Sequence, residues 1–160
     1  MVEKVSRGDL VLAAIAFAMV VVALWPSAGT GGAHGIVADP RRTPGVLNPN
    51  VTQQNIRSTI CRHGWTSTIR PPSSYTDELK RRQMRQYRET GSLSDYQEDH
   101  FISLELGGDP TDPRNLWPEP YPRASQMDQQ ENALNAAVCS GQMTLAQAQA
   151  REAQIKYMQG

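Results

Sequence analysis

Residues 10–25 form an unbroken run of sixteen apolar side chains, preceded by Lys4 and Arg7 and followed by a stretch rich in Gly, Ala, Pro, Thr and Asn over residues 26–49. A basic start, an apolar centre and small residues beyond it are the layout of an export signal. The length of the run lies between a signal-peptide core and a short membrane span. Val21/Ala23 and Gly31/Ala33 each offer a cleavage site. Residues 1–28 are therefore expected to be a signal peptide or an N-terminal membrane anchor acting through residues 10–25. Residues 29–50, which include His34, have no hydrophobic period and are expected to be a flexible linker. Residues 51–160 remain for one domain, with no room for a second core.

Within that domain, residues 52–61 suit a short helix or turn. The segment 65–69, Trp-Thr-Ser-Thr-Ile, is β-favouring and stops at Pro71-Pro72, which predicts a short strand or extended arm. Ser74, Thr76, Asp77 and Glu78 then open a helix that runs through residues 79–88 and ends at Gly91. Residues 97–106 alternate irregularly between polar and apolar, and 115–118 form a short apolar piece beyond a Gly-, Asp- and Pro-rich turn, which predicts two short antiparallel strands. Ser125 caps a helix carrying Met127, Leu134 and Val138 to Cys139, with Gly141 as its stop, and Thr144 opens a last one. Two strands followed by helices make an α+β domain.

Lys+Arg and Asp+Glu both number 16, so the whole-chain balance points to no class of ligand. The distribution is more informative. Residues 57–88 hold eight bases against Asp77 and Glu78, whereas residues 95–119 hold seven acids against Arg114. A basic segment beside an acidic one suits a phosphate polymer approaching a bound cation. The alternative is a pair of solvated faces that neutralise each other. Arg81, Arg85 and Arg88 share a helical face with Arg82 beside it, and are expected to contact phosphates without base specificity. Arg114 would either join them or pair with Asp112. The only cysteines are Cys61 and Cys139. An even pair behind an export signal is expected to close as a disulfide, and the absence of a Cys-x-x-Cys pair argues against zinc.

The segment that carries chemistry is Glu98-Asp99-His100-Phe101-Ile102-Ser103-Leu104-Glu105-Leu106-Gly107-Gly108, followed by Asn115-Leu116-Trp117-Pro118 and by a helix bearing Asp128 and Asn132. Phosphodiester hydrolysis needs a base near a water, a cation on the phosphate oxygens and a group that aims the base. Adjacent strand residues point to opposite faces, so Asp99 and His100 share one site only if the strand bends or ends there. Asp128 and Asn132, four positions apart, stack on one helical face. Such oxygen ligands suit Mg²⁺ or Mn²⁺ better than zinc.

The run Asp-His-x-Ile-x-Leu-x-x-Gly-Gly, then Asn-Leu-x-Pro, then a helix with a ligand residue, resembles the HNH endonucleases of the ββα-metal fold. It is similar in particular to small secreted bacterial proteins sharing Glu-Asp-His and Asn-Leu-Trp-Pro-Glu-Pro. The motif covers residues 98–139, and the wider likeness reaches back to about Thr43. The resemblance implies a ββα-metal core with additional flanking helices, His100 as general base, Asp99 as metal ligand and Asn115 as the residue that fixes the loop and the base. Asn132 stands where the family has its last His and would be the second ligand, with Asp128 as neighbour or competitor. Ser103 stands where the family usually has Pro, a residue that shapes the turn. The function implied is an extracytoplasmic nuclease, secreted or membrane-anchored, with DNA ahead of RNA as substrate. A non-catalytic polyanion-binding module and a hydrolase of another phosphodiester are the alternatives.

Overall fold

The computed structural model describes residues 37–158. The apolar run, the cleavage and anchor alternatives and His34 lie outside the described residues. Strands β1 (Tyr96–His100) and β2 (Leu116–Pro120) pair antiparallel, with Tyr96 opposite Pro120 and His100 opposite Leu116. Helix α1 (Trp65–Ile69) and helix α2 (Ser73–Tyr87) precede the sheet, and α3 (Arg123–Cys139) and α4 (Leu145–Met158) follow it. The described residues are thus α+β, with four helices and a two-stranded sheet. Among them no helix is long and apolar enough to cross a membrane.

Strand alternation puts Glu98 and Asp99 on opposite faces of the ribbon. Helix α2 packs against both strands through the side that buries Leu79, Gln83 and Met84. Lys80 Nζ donates to the Tyr96 carbonyl at 2.9 Å, and Gln83 Nε2 donates to that of Pro113 at 2.8 Å. Helices α3 and α4 pack on each other and on the 3₁₀ turn Leu104–Leu106. Trp117, Phe101, Leu106 and Leu116 are fully buried where these elements meet. Trp117 lies between the Tyr87 ring, 6.2 Å away by centroid, and the Arg123 guanidinium, 5.1 Å from its own ring centroid.

Several boundaries differ from expectation. From residue 37 the expected linker belongs to the packed domain: Ala38 and Thr43 are buried, Thr43 Oγ1 bonds the Tyr87 hydroxyl at 2.7 Å, and Leu47 bridges to Gly108. The segment Trp65–Ile69 is a helical turn, not a strand. Gly64 enters it at φ 75°, Trp65 is buried, and the Thr68 hydroxyl donates to the Trp65 carbonyl. Five residues are too few for β propensity to outweigh the burial of one indole. Helix α2 starts at Ser73 and ends at Tyr87, and the residue that caps it, Arg88, takes φ 60° itself, ahead of Gly91. The first strand stops at His100, and α3 begins at Arg123, two residues before Ser125.

Cys61 and Cys139 form a disulfide with Cα atoms 5.6 Å apart across 78 residues of sequence. It ties the segment before α1 to the end of α3 and fits an oxidising, extracytoplasmic setting. Replacing both cysteines with serine is expected to lower the unfolding free energy by about 2–5 kcal/mol. Urea denaturation of oxidised wild type against the double variant measures it, and an unchanged midpoint would contradict it.

Candidate functional site

Asp99 and His100 meet the geometric demand placed on them because β1 ends at His100. Both side chains line one cleft of about 270 Å³, together with Thr66, Arg70, Glu105, Asp128, Glu131 and Asn132. The His100 ring is buried and its Nε2 lies 3.0 Å from the Pro110 carbonyl oxygen. A carbonyl only accepts, so Nε2 carries the proton and Nδ1 keeps the lone pair. Burial holds the imidazole below its ordinary pKa, opposed by the bond to Pro110 and by the charge of Asp99. The ring is consequently neutral at physiological pH.

Asn115 builds the loop that presents this ring. Fully buried, it accepts at Oδ1 from the Ile102 N–H (2.9 Å) and donates through Nδ2 to the Ile102 (3.0 Å) and Asp109 (2.9 Å) carbonyls. Asp109 immediately precedes Pro110, so the amide that closes the loop also places the carbonyl that holds His100. The loop closes this tightly only because residue 108 is glycine. A Cβ there would collide with the Ile102 carbonyl and lie 2.7 Å from Asn115 Nδ2. At Gly107 the backbone is left-handed, φ 78°, as the 3₁₀ turn ends.

Behind the cleft lies a group of charges that residue spacing did not reveal. Lys156 of α4 is completely buried. Its Nζ donates to Asp99 Oδ2 at 2.9 Å and to the His100 carbonyl at 2.6 Å, pairs with Glu131 at 2.6 Å, and lies 3.6 Å from Glu152. Burial works to lower the lysine's pKa, but these carboxylates and Glu119 hold it well above its ordinary value. For Asp99, burial works upward, yet the charge of the Lys156 ammonium and its hydrogen bond hold it at about 2. Burial raises the other acids: Glu119 to about 8, Glu152 to about 7 and Glu131 well above the carboxylate range. Glu152 Oε1 also accepts from the Ser103 N–H at 2.9 Å. Ser103 has φ −61°, the angle of a proline, but a proline there would have no N–H for Glu152. The serine at this position is thus matched by a partner on α4.

Asp128 and Asn132 face the cleft from α3, and Asn132 Nδ2 donates to the Asp128 carbonyl at 2.7 Å, leaving its Oδ1 as an acceptor. Burial and the charge of Asp99 raise the Asp128 carboxyl. Asp99 Oδ1 accepts from Gln97 at 3.1 Å, so both of its oxygens already have partners. Among the described residues no three His, Cys, Asp or Glu side chains come together as a preformed metal set. The donors present still suit a hard cation, because Asp99, Glu105, Asp128 and Glu131 line the cleft against a single arginine, Arg70. The structure does not bring the α2 arginines here. Arg81, Arg82, Arg85 and Arg88 are exposed on a helix that packs by the Glu98 face, and Arg82 pairs with Glu78 at 2.9 Å. Arg114 is bound to Asp112 by two contacts, at 2.6 and 3.0 Å. Sequence reasoning missed Lys156, Glu131, Glu152 and Arg70. The only signal for the first was the four-residue spacing of Glu152 and Lys156, which ordinarily marks an exposed pair.

No family model, curated protein or solved structure matches the chain.

Replacing Lys156 with Met leaves Asp99, Glu131 and Glu152 without their cation and is expected to cost about 3–5 kcal/mol of stability. Denaturant titration checks this, and a loss below 1 kcal/mol would show that the ammonium is dispensable. A second expectation concerns pH. The raised Glu119 and Glu152, with Glu98 raised to about 8 by burial, bind more protons folded than unfolded between their ordinary pKa of 4.5 and about 7–8. Stability should therefore fall as pH rises through that window. Asp99 acts oppositely: its contribution is present above the ordinary 3.8 and is lost as pH falls towards about 2. His100, lowered when folded, adds stability as pH rises to about 6.5 and offsets part of the decline. The maximum should lie near pH 4–5, and thermal melts across pH 3–9 that peak at pH 8 would contradict it.

Proposed function

We propose that the chain is an extracytoplasmic, metal-dependent endonuclease of the HNH type, with β1, β2 and α3 as its ββα-metal core. One observation carries this reading. His100 sits at the end of β1 with Nε2–H committed to a backbone carbonyl, Nδ1 without a partner among the described residues and its pKa depressed, in a cleft shared with an excess of carboxylates. That is the state a general base needs. His100 takes the proton of the attacking water at Nδ1. The resulting imidazolium is held by the Pro110 carbonyl and the Asp99 charge, while Asn115 keeps loop and ring in aim. Asp128, the Asn132 amide oxygen and the remaining lone pairs of Asp99 would hold Mg²⁺ or Mn²⁺. A cation there supplies Lewis-acid stabilisation of charge on the phosphate and leaving oxygen. DNA is the expected substrate ahead of RNA. The disulfide and the apolar run at residues 10–25 support a location outside the cytoplasm, secreted or membrane-anchored.

The second reading, a non-catalytic polyanion-binding module on the same scaffold, is favoured by one observation: the Asp99 carboxylate is already neutralised by Lys156. Metal-dependent cleavage separates the two. Plasmid DNA and RNA incubated with the oxidised protein in Mg²⁺, Mn²⁺ or EDTA should be cut only with metal. His100→Ala should lose about 10²–10⁴-fold in rate with metal binding nearly intact. Asp128→Ala and Asn132→Ala should be partly rescued by excess cation, which replaces lost affinity but supplies no base. Asn115→Ala should fall between these cases. Wild-type turnover by correctly folded His100→Ala would rule out the mechanism, and no cleavage by wild type under any metal would favour the binding module.

A further inference from the structure

We propose that the phosphodiester strand is held along α1 by Arg70 and Arg62, in a groove that runs from the His100 cleft to the disulfide, and not along the basic helix α2. This rests on the reading of the cleft as a phosphodiester site and specifies where its polymer lies.

The groove consists of two adjoining hollows. The second, of about 370 Å³, is lined by Arg62, His63, Gly64, Asn135 and the two cysteines, and it shares Thr66 and Glu105 with the His100 cleft. Arg62 lies just before α1 and Arg70 caps its end, so the helix spaces one guanidinium at each hollow. Both arginines are exposed, and neither guanidinium has a hydrogen-bond or ion-pair partner among the described residues. Arg70 shares with the buried Lys156 the property that its charge reaches His100, Glu105 and Asp128 together, and of the two it is the one exposed at the cleft. On the opposite side, Glu105 and Asp128 repel phosphate unless a cation intervenes, which leaves the α1 edge as the favourable path for a polyanion.

The α1 arm is also held firmly enough to position a substrate. Trp65 is buried in the core, Cys61 is bonded to Cys139 of α3, and Asn135 Nδ2 donates to the carbonyls of Ile60 at 3.3 Å and Glu105 at 2.7 Å. Ordering cost is therefore met during folding and not again on binding. The α2 arginines lack these advantages, since they line neither hollow and Arg82 is engaged with Glu78.

The test measures binding of a fluorescein-labelled single-stranded DNA oligonucleotide to the full chain in EDTA across a salt series. The variants are Arg62→Glu/Arg70→Glu and Arg81→Glu/Arg85→Glu/Arg88→Glu. The α1 pair should weaken binding by at least about tenfold and lower the log–log salt slope by about 1.4, the loss of two single-strand phosphate contacts. The α2 triple should change affinity less than about threefold by the same accounting. Near-uniform loss in both variants, loss in the α2 triple alone, or no binding by wild type would each overturn the proposal. Folding is checked by near-ultraviolet circular dichroism with the disulfide intact, and Arg62→Gln/Arg70→Gln serves if the charge reversal does not fold. The two readings fail separately. Wild type that cuts DNA while the α1 variant binds normally refutes the track and keeps the nuclease. Wild type that binds through α1 without cutting refutes the nuclease and keeps the track.

Discussion

The Lys156 ammonium is the constraint on which the remaining arrangement depends. One buried Nζ bonds the Asp99 carboxylate and the His100 carbonyl at the end of β1, Glu131 on α3 and, at longer range, Glu152 on its own helix. Four carboxyl groups face this region, counting Glu119, and a charge of either sign left alone there would carry a desolvation cost of several kcal/mol. The group is tolerable only as a set. The ammonium keeps Asp99 ionised, while burial raises Glu119, Glu131 and Glu152 so that protons take up part of the excess. Removing any member changes the charge state of the others, which couples α4 to the strand end at a place where no apolar contact would give the same direction.

That coupling reaches the cleft through the backbone. His100 is held at its carbonyl by Lys156 and at its ring by Pro110, so the main chain and the imidazole are fixed from two sides. The loop carrying Pro110 is closed by Asn115, and the turn before it is held by the bond from Ser103 to Glu152. Two independent devices, an amide that satisfies three backbone groups of the loop and a carboxylate that takes one N–H, therefore hold opposite ends of residues 101–115. The disulfide and Asn135 fix the far wall of the groove in the same manner, by joining α3 to the segment that leads into α1. The electrostatic pattern follows: acids on the α3 side, two exposed guanidinium groups on the α1 side, and the neutral histidine between.

Local sequence by itself determined the features governed by short-range chemistry. The two short strands, the glycines at 107 and 108, the helices that begin near Ser73 and Arg123 and the cysteine pair all follow from turn residues, hydrophobic period and count, whereas the end of the first strand at His100, which lets Asp99 and His100 share a site, does not. Asn115 was named as the loop-fixing residue only through the resemblance of its motif to the HNH pattern, and its bonds to Ile102 and Asp109 are what the tertiary structure adds. Tertiary structure alone decided the rest. Residues 37–50 read as a linker because they carry turn-forming Pro, Gly and Asn without a hydrophobic period, yet Ala38 and Thr43 pack on elements far along the chain. Residues 65–69 have the composition of a strand, and burial of Trp65 made them helical. Lys156 looks like any basic residue in a final helical turn, and only the arrival of Asp99 and Glu131 from distant segments makes its burial favourable. The same holds for the division of the arginines. Their positive charge is written in the sequence, but whether a guanidinium faces His100 or the far side of the ribbon depends on which strand face α2 covers, and no spacing along the chain encodes that.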